Sequence, residues 1–68
     1  MSVSTRIKQV MLDKPIKVNE LAKLLEMNSQ VVSNKLYRDK MSFADAEKIL
    51  NVLDCDIVIR NRETGKEY

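Results

Sequence analysis

Sixty-eight residues with 44% apolar side chains make one small folded domain rather than a disordered segment, and leave little room for an enclosed cleft. With no histidine, one cysteine and one glycine, the chain lacks the usual Cys and His ligands for zinc, an internal disulfide and a glycine-rich phosphate loop. The net charge of +2 says little, but residues 1–42 hold eight Lys and Arg against four Asp and Glu, and residues 43–68 hold four against six. The basic half is where a surface for phosphates is expected.

The first helix is expected after Ser2, a good N-cap, with Val3, Ile7, Val10 and Met11 recurring at helical spacing. Asp13-Lys14-Pro15 ends it, because a proline disfavours helical geometry in the residue before it. A second helix spans about Val18 to Leu25, with Val18, Leu21, Ala22, Leu24 and Leu25 on one side and Asn19, Glu20, Lys23 and Glu26 on the other. Glu26-Met27-Asn28 forms a tight turn, and Asn28 is placed to cap a third helix.

That third helix carries an unusual face. At about 100° per residue, with Ser29 at 0°, Ser33 falls at about 40°, Tyr37 at about 80°, Gln30 at about 100° and Asn34 at about 140°. Val31, Val32 and Leu36 point the other way. A solvated face normally carries Lys and Glu; Ser, Gln, Asn and Tyr instead offer the donor and acceptor pairs that can read base edges in a DNA major groove.

Residues 37–41 make a polar connection containing Arg38 and Lys40. Ser42 with Asp45 resembles a capping box, opening a fourth helix whose Phe43, Ala46, Ile49, Leu50 and Leu53 share one arc. The period then changes to two. Cys55, Ile57 and Ile59 alternate with Asp56, Val58 and Arg60, which predicts a strand, and Gly65 suits a hairpin turn leading to a short return at 66–68. Cys55 reads as a small buried apolar residue. An unpaired strand edge invites a second chain, so Val58 and Arg60 are candidates for a dimer interface. A lone exposed valine on a monomer is the equal alternative.

The expected architecture is therefore mainly α: four short helices with a central helix-turn-helix, then a C-terminal β-strand or β-hairpin. Residues 1–54 form the helical part and 55–68 an extension of the same single domain. No apolar run approaches the ~18 residues of a membrane span and no secretory pattern opens the chain, so a soluble, cytoplasmic protein is expected.

The run Leu21-Ala22-x-x-Leu25-x-Met27-x-x-x-x-Val32-Ser33-x-x-Leu36 resembles the helix-turn-helix core of the lambda-repressor/Cro-like (XRE-type) DNA-binding family. Ala22 is small where two helices meet, Met27 is apolar after the turn, and Val32 plugs the core from the recognition helix. The resemblance covers residues 3–54; the tail looks like the extension of small phage or mobile-element regulators. Two departures stand out. Glu26 occupies the turn position usually held by glycine, at ~1 kcal/mol if its φ is positive. Lys35 sits on the inward half of the third helix, where an apolar residue is common; its stem can cover core while the ammonium reaches outward.

The resemblance implies that the third helix enters the major groove of a palindromic operator. Ser29, Gln30, Ser33 and Asn34 would read bases, and Lys17, Lys35, Tyr37, Arg38 and Lys40 would hold phosphates. Two copies would address half-sites about 34 Å apart. The implied role is a Cro-like repressor acting as a homodimer on double-stranded DNA, with no cofactor, metal or small-molecule ligand and no catalysis. The competing reading is a protein-interaction module, such as an antitoxin or inhibitor using a helix-turn-helix scaffold; the acidic second half and the strand edge favour it.

Overall fold

The computed structural model describes residues 2–38 and 40–68 and contains four helices, α1 (Val3–Asp13), α2 (Val18–Leu25), α3 (Ser29–Tyr37) and α4 (Phe43–Val52). Their starts follow the local chemistry. The Ser2 hydroxyl accepts from the Thr5 N–H at 3.2 Å, and the Asn28 side-chain oxygen accepts from the Gln30 N–H at 2.7 Å. Ser42 and Asp45 form the reciprocal box, each side chain accepting from the other's N–H at 3.1 Å. Lys17, which has no acceptor to offer, leaves α2 with the return half alone, Glu20 Oε1 taking the Lys17 N–H.

Two helices end on left-handed residues that are not glycine. Glu26 has φ 55° and ψ 42°, and the chain reverses there with the Met27 N–H donating to the Ala22 carbonyl at 3.0 Å. Asp54 has φ 62°, and the Cys55 N–H donates to the Leu50 carbonyl at 2.8 Å. The first is the turn anticipated between α2 and α3; the second is new. Both side chains are exposed, so the strain of each αL residue is offset by the carbonyls these turns satisfy.

The core draws on every helix: Ile7 and Met11 from α1, Leu21 and Ala22 from α2, Val32 and Leu36 from α3, Ala46 and Ile49 from α4, with Leu53 beyond it. Ser4 is also buried, and its hydroxyl donates to the Lys35 carbonyl, tying α1 to α3. Between α3 and α4 the Lys35 ammonium meets the Asp45 carboxylate at 2.8 Å. That ammonium, with the Ser42 N–H beside it, holds the Asp45 carboxyl below its ordinary pKa. The helix N-terminus favours the same anionic form.

Some expected packing is absent. Phe43, placed on the buried arc of α4, is 66% exposed. It is the first residue of the helix, and helical side chains tilt toward the N-terminus, so its ring projects past the end of the core. Val3, at the same position in α1, is likewise exposed, and Leu24 lies over the outer flank of α2.

The expected β element does not form. Cys55–Ile59 have no regular structure, and the tail contributes one isolated antiparallel bridge between Arg60 and Glu67, closed over a turn with Gly65 at φ 75°. Cys55 is half-buried against the core, but every tail residue after it is exposed. Alternation alone does not make a strand: two short segments with no apolar surface beneath them are marginal in water.

Two stability outcomes follow. Asp45→Ala should lower unfolding free energy by about 1–2 kcal/mol at neutral pH in urea titration, from loss of the cap and the ion pair. Because the folded pKa of Asp45 is depressed, its contribution is complete above the ordinary aspartate range and lost as pH falls through the folded value, so variant and parent should converge in acid. Ala22→Leu should cost about 1–3 kcal/mol by overpacking the α2–α3 contact.

Candidate nucleic-acid interface

α3 lies with Val32 and Leu36 at 0% and 1% exposure inside the core, which turns its opposite side outward. Ser29 and Gln30 are exposed there, and Ser33 and Asn34 are half-exposed. One turn apart, the Gln30 Nε2 donates to the Asn34 Oδ1 at 3.2 Å. This bond restricts both amides and leaves the Gln30 Oε1 as an outward acceptor and the Asn34 amide hydrogens as outward donors. The four side chains expected to read bases thus occupy one continuous stretch of a single helix.

A fifth residue joins them. Val31, expected to face inward, is 43% exposed. The signal was present: at about 200° on the same wheel it stands closer to Asn34 than to Val32. It adds an apolar contact surface of the kind that meets a thymine methyl.

The expected phosphate contacts divide into groups. Lys17, just before α2, and Tyr37, at the end of α3, line one open cleft with Lys8, Leu12 and Val18. The Lys8 ammonium stands 4.8 Å from the centre of the Tyr37 ring, a cation–π contact that adds a cation from α1 to this group. Lys8 was not anticipated, since sequence spacing gives no hint that α1 approaches the end of α3. Arg38, which follows α3, and Lys40 beyond it are exposed.

Lys35 behaves differently. Its stem lies over the core as expected, but its ammonium is bound by Asp45 rather than presented outward. An incoming phosphate would have to displace a carboxylate that is also engaged at the N-terminus of α4. Val58 and Arg60, the expected dimer contacts, sit in the exposed tail, Val58 at 51% exposure and Arg60 within the lone bridge.

Among the described residues no helix is long and apolar enough to cross a membrane. Chemically, the outward side of α3 offers neutral hydrogen-bonding groups flanked by cations, suited to a ligand with polar edges and an anionic frame.

The comparisons agree with this geometry. Residues 6–58 match the model of the Cro/C1-type HTH DNA-binding domain, a span that takes in all of α2, α3 and α4 and most of α1. No curated protein and no solved structure matches the chain. Since the matched segment is most of the sequence, the chain belongs to the Cro/C1-type (XRE-type) family of helix-turn-helix DNA-binding domains, which are typically non-enzymatic, and DNA is its implied partner.

Proposed function

We propose that this protein is a sequence-specific transcriptional regulator of the repressor kind, inserting α3 into the major groove of an approximately palindromic operator. The observation that carries the reading is the outward pair Gln30 and Asn34, hydrogen-bonded to each other on the exposed side of a helix whose other side is core. An amide that donates and accepts at once suits adenine N6 and N7, and each well-placed contact of that kind discriminates by about 1–3 kcal/mol. Ser29 and Ser33 supplement them, with Val31 set for a thymine methyl.

Lys17, Tyr37, Arg38 and Lys40 supply phosphate contacts that position the helix without specifying sequence. Lys8 joins them through its place over Tyr37. Lys35 serves a different purpose in this reading: paired with Asp45, it sets the orientation of α3 against α4. Two copies occupy the two half-sites of the operator, and repression follows from blocking a promoter. The exposed apolar tail also favours a protein contact, which is compatible with DNA binding when the partner is a second copy.

Selection of bound fragments from randomised duplexes supplies the operator for the tests. Gln30→Ala and Asn34→Ala should each weaken operator binding about 5- to 150-fold per half-site in titrations while leaving random-duplex affinity nearly unchanged. Equal losses on both DNAs, or none on either, would remove the base-reading assignment. Lys8, Lys17, Arg38 and Lys40 from two copies predict a slope of log K against log salt of about −7. Arg38→Ala should make that slope shallower by about 2 for the two-copy complex, one unit per copy.

A further inference from the structure

We infer that the tail is one half of an intermolecular β-ladder, and that its occupant is the same segment of a second copy, paired antiparallel with Val58 on the two-fold axis. The inference deepens the two-copy part of the proposal above by naming the surface, the register and the side-chain pairs.

The backbone first limits which edge is open. The Tyr68 N–H donates to the Ile59 carbonyl at 3.0 Å, and the Asn61 N–H donates to the Lys66 carbonyl at 2.9 Å. The return segment therefore uses the peptide groups of residues 59 and 61. In an antiparallel ribbon the groups of alternate residues point to opposite edges. Those of Asp56, Val58 and Arg60 consequently belong to the other edge, against which no strand lies among the described residues. The segment presents Ile57, Val58 and Ile59 at 39%, 51% and 67% exposure.

The sequence then selects the register. Asp56-Ile57-Val58-Ile59-Arg60 reads alike in both directions except that its ends carry opposite charges. Pairing centred on Val58 sets Asp56 of each copy opposite Arg60 of the other, Ile57 opposite Ile59, and Val58 opposite Val58. An isologous contact requires this self-complementarity. Moving the axis to Asp56 or Arg60 sets like charges face to face, which is destabilising. Moving it to Ile57 or Ile59 uses the same open-edge peptide groups but sets Asp56 or Arg60 opposite Val58, which loses both Asp56–Arg60 pairs. Val58 is the remaining centre.

Asp56 and Arg60 are free to serve. Both are exposed, and neither forms an ion pair among the described residues, Arg60 included despite lying opposite Glu67 in the bridge. The pairing also accounts for the missing strand. In one copy the tail has a single bridge; in two copies the 56–60 segments become central strands, each with a neighbour on both sides. Ile57 and Ile59 then share one face across the axis, and Val58 lies between charged pairs on the other.

The test is charge exchange, read by sedimentation equilibrium without DNA across micromolar to millimolar concentrations. The parent chain should dimerise. Asp56→Arg and Arg60→Asp should each raise the dimer dissociation constant at least about tenfold, because each places like charges opposite one another twice. An equimolar mixture of the two variants should associate as a heterodimer, and the double exchange D56R/R60D should restore the homodimer. Val58→Pro, which removes the N–H at the axis, should give monomer with helical circular dichroism unchanged. A parent that stays monomeric throughout, single exchanges that leave the dimer intact, or a mixture that fails to associate would each overturn the inference. Binding of Asp56→Arg to an isolated half-site reads the DNA assignment separately, since it needs neither a second copy nor the tail.

Discussion

The burial of Val32 and Leu36 controls the rest of the molecule. A helix of nine residues has little surface, and once these two side chains are enclosed in the shared core its rotation about its own axis is determined. Every other side chain on α3 then has its position set by the helical period. Two polar contacts reinforce this rotation from opposite ends of the chain. The Ser4 hydroxyl bonds the Lys35 carbonyl from α1, and the Lys35 ammonium bonds Asp45 at the start of α4. Backbone and side chain of one residue thus link α3 to both outer helices. Such a helix keeps its outward amides in place without their making any contact with the core.

This explains why a lysine stands where an apolar residue is common. Its methylenes cover core atoms, and its charge finds a carboxylate already held by a helix cap. An apolar residue could fill the space but would leave Asp45 without its closest cation. The ion pair is about three-quarters buried on both sides, so its geometry is better defined than that of a fully exposed pair.

The helices and their caps were legible because their causes are local. Ser2, Asn28 and the Ser42–Asp45 box each act within three residues, and Pro15 stops α1 through its own neighbours. The Glu26 turn was legible from its place between two apolar-periodic segments. What was not legible depends on distant parts of the chain. Lys35 and Asp45 are ten residues apart, and Lys8 meets Tyr37 from another helix. Phe43 obeys the periodicity of α4 yet lies where the core has already ended. On α3 the helical period alone places Gln30 and Asn34 on the outward side, while Val31, expected inward, stands at an angle that puts it at the edge of the outward residues.

The tail fails as a predicted strand for a related reason. A helix satisfies its backbone within itself, whereas a strand needs a neighbour and the pattern of its side chains does not supply one. The period-two alternation of residues 55–60 describes a segment suited to a sheet, and within one copy the sheet consists of a single bridge. The charge distribution bears on what completes it. From Asp54 onward the tail holds four acidic and three basic residues, so it is nearly neutral while the helix-turn-helix half is basic. A neutral tail does not compete with the cationic surface for phosphates, nor does it oppose the approach of a second copy of itself. In the proposed dimer, joining two weakly basic helical bodies through such a segment would make the second half-site encounter intramolecular and so raise operator affinity without adding a single base contact.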